Sequence, residues 1–199
     1  MNQQPIPKNW LISSKSSPLA TPSSSLDQTA NWKAYTNEKW KWQIKYPNNW
    51  KQEDCSETVQ IKDKLVLVES VCLYGQDYKL EPDRLIGQRI TITSEKIGEK
   101  SREPATQCTG KSGPGVVCEE VTVDGKPAII AGLPGAGITE SEVIEATLLA
   151  SAVQKGEKLI RLDTEYTDCL IWGSVTKLCT DRNIAIDTFK QILSTFKFE

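Results

Sequence analysis

The chain contains no histidine. That removes the commonest general base, the commonest transition-metal ligand and the side chain that titrates nearest neutrality. Ser-His-Asp and Cys-His nucleophilic arrangements are therefore impossible within it. A charge excess is missing too: 24 Lys and Arg face 26 Asp and Glu, with no block of like charges. Such a balance sets up no long-range field to draw in nucleic acid or an anionic membrane. Long apolar runs are absent, so no stretch reaches the roughly 20 residues of a membrane-spanning helix. At the N-terminus, MNQQPIPKNWLISSKSS offers nothing more apolar than Trp10-Leu11-Ile12 and has no signal-peptide core. No CxxC occurs, which argues against a zinc ribbon or a thioredoxin-type redox motif. There is also no Asn-x-Ser/Thr glycosylation acceptor.

What the chain does have is six cysteines: Cys55, Cys72, Cys108, Cys118, Cys169 and Cys179. They fall in three groups of two along the sequence, in polar, loop-like contexts such as EDCSE, TQCTG and KLCTDR. Sequential pairing is expected, as Cys55–Cys72, Cys108–Cys118 and Cys169–Cys179, each bridge stabilising by about 2–4 kcal/mol. Six buried, reduced thiols are the plain alternative. Disulfides imply an oxidising compartment, which the missing signal core contradicts. The expectation that reconciles the two is an anchor or signal upstream of Met1, with the folded part facing outside the cytoplasm.

Residues 1–31 read as a disordered tether. Ser13 to Ser25 (SSKSSPLATPSSS) is mostly Ser, Thr and Pro, and cannot bury enough apolar surface to offset ordering entropy. A single domain is expected over 32–199. From Lys39 to Tyr46 the chain alternates, with Trp40, Trp42, Ile44 and Tyr46 on one side and lysines and Gln43 on the other, the period of a half-buried strand. An aromatic stacking platform for single-stranded nucleic acid or sugar would interleave the same residue types. Here, however, the lysines point away from the aromatics. Pro47 and Asn48-Asn49 end the strand in a turn. Leu65 to Leu73 and Gln88 to Thr93 read as further strands. Val116 to Val123 and Lys126 to Ala131 flank Asp124-Gly125, a type I′ hairpin signal. Glu142 to Val153 reads as a helix capped by Thr139, or as a strand pairing with Lys158 to Tyr166; the alternation of that second arm favours the hairpin. Near the end, Thr180 or Asp181 caps a helix whose apolar stripe is Ala185, Phe189, Ile192, Leu193 and Phe196. Thr195 to Phe198 leaves it as a short extended end. The sum is an α+β domain: an antiparallel sheet flanked by helices, with an amphipathic helix at the C-terminus.

Two passages resemble a known family. Lys33-Ala34-Tyr35-Thr36-Asn37 followed by Trp42-Gln43-Ile44-Lys45-Tyr46-Pro47 and Trp50 resembles the entry strand of PsbP-like (Mog1/PsbP-fold) domains. Phe189 to Phe198 (FKQILSTFKF) resembles their terminal helix and closing strand, particularly in anchored bacterial members of unknown function. The resemblance covers the two ends of the domain, and the middle only in its order of strands and turns. It implies a sandwich-like sheet flanked by helices, on the extracytoplasmic side and without catalysis. Plant and cyanobacterial members serve photosystem II and are associated with calcium, chloride or manganese. No functional residue of theirs maps onto this chain, and the paired cysteines depart from the photosynthetic members.

Candidate chemistry is sparse. Gly110-Lys111-Ser112 resembles the end of a phosphate loop, but Ala105 stands where its first glycine belongs. Gly132-Leu133-Pro134-Gly135-Ala136-Gly137 has GxxGxG spacing rather than that of a dinucleotide loop, and Pro134 lacks an amide such a loop uses. It reads as a flexible surface loop, with a ligand-covering flap as the alternative. Asp163, Glu165 and Asp168 are the weak calcium candidates, and the same carboxylates could in principle serve a glycosidase. Glu53, Asp54 and Glu57 around Cys55 form a looser acidic cluster. Solvated strand-face charge is the plain reading of both groups.

The function expected is therefore that of a non-catalytic, envelope-tethered and monomeric domain that binds a partner protein or small ligand. No catalytic or cofactor residue and no nucleic acid is expected. The alternatives are a calcium-dependent accessory or adhesion module, or a carboxylate-based hydrolase of cell-surface polysaccharide. Denaturing the untreated protein in a thiol reagent should label none of the six cysteines, and all six after reduction. Labelling before reduction would overturn the disulfide framework.

Overall fold

Alternating apolar residues along strands force a sheet to be two-faced. The computed structural model shows where each face goes. It describes residues 28–61, 63–81, 84–97, 107–108, 117–137, 145–166 and 180–199. The strands are β1 (Lys33–Asn37), β2 (Trp42–Tyr46), β3 (Lys51–Asp54), β4 (Glu57–Ile61), β5 (Lys64–Tyr74), β6 (Lys79–Glu81), β7 (Arg84–Ile86), β8 (Gln88–Lys96), β9 (Val117–Val123), β10 (Lys126–Gly137), β11 (Glu145–Lys155) and β12 (Lys158–Tyr166). Helix α1 (Arg182–Ser194) and strand β13 (Lys197–Phe198) close the chain.

The large sheet runs in the order β3-β5-β8-β12-β11-β10-β9, with β4 pairing the first half of β5. Every pairing in it is antiparallel. A small sheet, β1-β2-β13, and a β6-β7 hairpin complete the strands. Among the described residues there is one helix, so the fold is sheet-dominated. The antiparallel sheet and the C-terminal helix stand as expected; among the described residues that helix alone packs on the sheet, on its core side. Sheets of this width bury one face against whatever the remaining chain provides, and here that is largely a second sheet.

Register explains the core. Ile90 and Ile92 of β8 stand beside Thr164 and Leu162 of β12 and beside Leu73 and Val71 of β5. Together with Ile130, Val153 and Ile160 they meet Trp42, Ile44 and Tyr46 of β2 and Phe189, Ile192 and Leu193 of α1. Trp42 is fully buried, stacks on Phe196 at 5.8 Å, and donates its indole N–H to Ser94 Oγ at 3.0 Å. Gln88 reaches across the core and donates to both Thr164 Oγ1 and the Ala185 carbonyl, each at 3.0 Å. The helix starts where expected: Asp181 caps it by accepting from the amides of Asn183 and Ile184.

Two expectations are corrected. The single strand from Lys39 breaks, because Asn37 Oδ1 accepts from Trp40 N and a turn follows, with Lys41 at φ 58°. Trp40 therefore sits in that turn, and β2 begins only at Trp42. A separate strand, β1, forms ahead of it and pairs along its whole length. Gly132 to Gly137 is no loop but the second half of β10, paired to β11 with a register shift between Leu133 and Ala136. Pro134, which cannot donate to a ladder, falls inside that irregularity. Glu145–Lys155 is a strand, so the hairpin reading of this segment holds. The tether 1–31 lies mostly outside the described residues, which begin at Gln28.

Phe189 is fully buried while Ile184 on the same helix is 63% exposed. Phe189→Ala should lower unfolding free energy by about 3–5 kcal/mol. Ile184→Ala should change it by less than about 0.5 kcal/mol. Urea titrations of the two variants check the pair.

Candidate functional site

The outer face of the large sheet carries what polar chemistry the described residues offer. On β12 it presents Arg161, Asp163 and Glu165; on β8 Arg89, Thr91 and Thr93; on β5 Ser70, Cys72 and Tyr74. Asp163 and Glu165 do share this face, as their spacing predicts, but they do not act as a free pair. Glu165 is buried and ion-paired with Arg89, its direct cross-strand neighbour. Burial pushes the Glu165 carboxyl upward, and the Arg89 guanidinium pulls it back down. Asp163 lies between Ala150 and Thr91. Burial raises its carboxyl to about 6, against a weaker downward pull from Arg161. Asp168 lies outside the described residues. Among those residues no three acidic or cysteine side chains converge as a metal cage.

The second acidic cluster is taken apart by the strand itself. Glu53 and Asp54 are successive residues of β3 and so face opposite sides. Asp54 accepts from the Ser56 amide at 2.9 Å, and hydrogen bonds from Ser56 hold its carboxyl below the usual range. Glu57 is exposed at the start of β4. Beside them, Cys55 and Cys72 form a bridge, Cα to Cα 5.8 Å, and Cys108 and Cys118 form another at 5.9 Å. The first spans diagonal neighbours, since Cys72 stands opposite Glu53. Strands β3 and β4 keep one register along β5 on either side of that bridge. Cys169 and Cys179, like Gly110-Lys111-Ser112, lie outside the described residues.

Sequence reasoning did not find the cleft at the end of this face. It has a volume of about 430 Å³ and is lined by Asn49, Lys51, Glu53, Tyr74, Gly75, Gln76 and Tyr78. Three backbone features build it. The Gly75 amide donates to the Gln88 carbonyl at 2.9 Å, and the Tyr78 amide donates to the Gly75 carbonyl at 3.0 Å. Gly87, at φ 77°, lies so close to residue 78 that an added Cβ would fall 2.8 Å from the Tyr78 nitrogen. The Tyr78 backbone is thus seated against Gly87. Its ring meets Tyr74 at 4.9 Å, and the Arg89 guanidinium packs over it at 5.9 Å. Burial raises the Tyr78 hydroxyl, with Arg89 opposing. The only advance signal was the Asn48-Asn49 turn facing Gly75-Gln76, which periodicity does not score.

Chemically the cleft can stack and hydrogen-bond, but it has no nucleophile beside a base. Among the described residues, burial raises the Asp163 carboxyl to about 6. Its folded-state value is raised above that of the unfolded chain, so ionisation costs the fold stability as pH climbs from about 4 through about 6, an order of 2–3 kcal/mol in full. Asp163→Asn should therefore raise the melting temperature at pH 8 and leave it nearly unchanged at pH 4. Equal shifts at both pH values would contradict the assignment.

No protein-family model matches the chain, nor does the sequence of any curated protein. Among solved structures the chain is similar to the solution structure of cyanobacterial PsbP (CyanoP) from Synechocystis sp. PCC 6803. The identity is 16% and the TM-score 0.46, over 92% of this chain and 100% of that one.

Proposed function

We propose that the chain is a non-catalytic binding domain that works outside the reducing cytosol, tethered to the cell envelope through its Ser/Pro-rich N-terminal segment. Its ligand or partner engages the cleft at Tyr74 and Tyr78. The observation that carries this reading is a preformed cleft with polar and aromatic walls in a chain that has no histidine to serve a catalytic centre. The location draws support from the Cys55–Cys72 and Cys108–Cys118 bridges, since such bonds persist in oxidising compartments.

The alternatives have less behind them. A polysaccharide hydrolase of the usual kind needs one ionised and one protonated carboxyl facing a common substrate. Glu165 is instead occupied by Arg89. A calcium site at Asp163, Glu165 and Asp168 would compete with that same ion pair. Titration with calcium separates this case: a site of about 10 μM affinity would add about 2.7 kcal/mol at 1 mM calcium. The melting temperature should not move.

The cleft itself is tested by amide NMR during titration with fractionated envelope extract. Shifts should concentrate at Gly75, Gln76 and Tyr78. Shifts centred elsewhere, or none with any fraction, would overturn the placement.

A further inference from the structure

The walls of the cleft are specific enough to name a ligand class. We propose that it is a saccharide-binding subsite, taking a neutral sugar on a tyrosine face with its hydroxyls bonded by the surrounding polar side chains. This rests on the reading that the cleft binds a ligand at all.

Charge is the first criterion. Lys51 and Glu53 both line the cleft and cancel. The Arg89 beneath Tyr78 is already neutralised by Glu165. A phosphate or carboxylate ligand would find no net positive field, and a cationic ligand would meet a ring already engaged by a guanidinium. An uncharged ligand fits both facts.

Ring geometry is the second. The Tyr74 and Tyr78 rings are tilted by 45° at a centroid separation of 4.9 Å. Rings that close and that inclined cannot sandwich a flat heteroaromatic base between them. A puckered pyranose needs only one aromatic face, against which its axial C–H groups pack.

Hydrogen-bonding capacity is the third. Asn49 donates one amide hydrogen to Gln76 Oε1 at 3.0 Å. Among the described residues that leaves the Asn49 carbonyl oxygen and the Gln76 amide group uncommitted. Lys51 and Glu53 likewise have no side-chain partner there. A donor and acceptor set of this kind, ringed around aromatic faces, matches the alternating donors and acceptors of a polyol. A ligand without hydroxyls would leave those groups dry and unpaired, which costs binding energy.

Rigidity is the fourth. A Cβ on Gly75 would lie 3.1 Å from the Gln88 carbonyl, and one on Gly87 would collide with the Tyr78 backbone. The Gly75 and Tyr78 amides are already bonded to the Gln88 and Gly75 carbonyls before any ligand arrives, which lowers the ordering cost of binding a weakly held sugar. The volume of about 430 Å³ sits toward the lower end of the roughly 300–1,000 Å³ typical of ligand pockets, room for a mono- or disaccharide unit.

The test is amide NMR titration of the full chain with neutral oligosaccharides: cellotriose, maltotriose, mannotriose and chitotriose. Galacturonic acid trimer and a neutral hexapeptide pool serve as comparisons. At least one neutral sugar should shift Gly75, Gln76 and Tyr78. Tyr78→Ala should weaken that sugar about fivefold or more, and Tyr78→Phe should retain it. Gln76→Ala, on an exposed turn that disturbs no packing, should also weaken it while leaving the melting temperature unchanged. If the peptide pool or the acidic sugar occupies the cleft and no neutral sugar does, the neutral-saccharide assignment falls and the cleft reading stands. If no probe and no envelope fraction shifts those amides, both fall.

Discussion

The domain closes on the indole of Trp42. Its ring is fully buried between Tyr35 and Phe196, and its N–H reaches Ser94 on β8. That bond ties the small sheet to the centre of the large one. Without it a buried donor would be left unsatisfied, at about 1–3 kcal/mol. Much else takes its position from this contact. β13 pairs β2 through Phe198 opposite Trp42, and Phe196 stacks on the same ring at the exit of α1. The helix is therefore held at both ends: Gln88 grips the Ala185 carbonyl near its start, and Phe196 follows its last turn. An apolar stripe alone would leave such a helix free to slide along the sheet.

Once the inner face is committed to Trp42 and α1, the outer face is free for polar chemistry. β8 and β12 alternate strictly, so the rungs Arg89–Glu165 and Thr91–Asp163 fall between the core rungs of Ile90 and Ile92 and face the other side. The Arg89–Glu165 pair then supports Tyr78 from beneath. In this way a core register, set by hydrophobic burial, fixes the position of an aromatic wall in a surface cleft. The link runs from sequence period to cleft geometry through one ion pair.

Much of this was legible in the residues, for reasons that differ between elements. The β12 arm was read to the residue, because Lys158 to Tyr166 alternates cleanly and is bounded by a turn. Asp124-Gly125 forced its hairpin through positive φ at both positions, and α1 showed its cap and stripe together. The break at Glu38–Lys41 was hidden, since alternation continues across it and only the Asn37 side chain ends the first strand. β10 was misread after Gly132 because glycine and proline usually mark loops. There a bulge absorbs the proline and pairing to β11 resumes. The cleft was invisible for a deeper reason. Its walls come from the 49–53 and 74–78 segments, brought together by the β3–β5 pairing, and no local period encodes that meeting.

An open sheet ends in two rims, and each leaves main-chain groups that could recruit a second copy. In this chain both rims are fastened by sulfur. Cys55 clamps the outer strand to β5 on one side, and Cys118, on the outermost strand of the other, is bound to Cys108. Beyond the first clamp the β4–β5 arm continues outward with Leu65 and Leu67 largely bare to solvent. Reduction would remove a covalent clamp from each border at once, one of them beside that apolar arm.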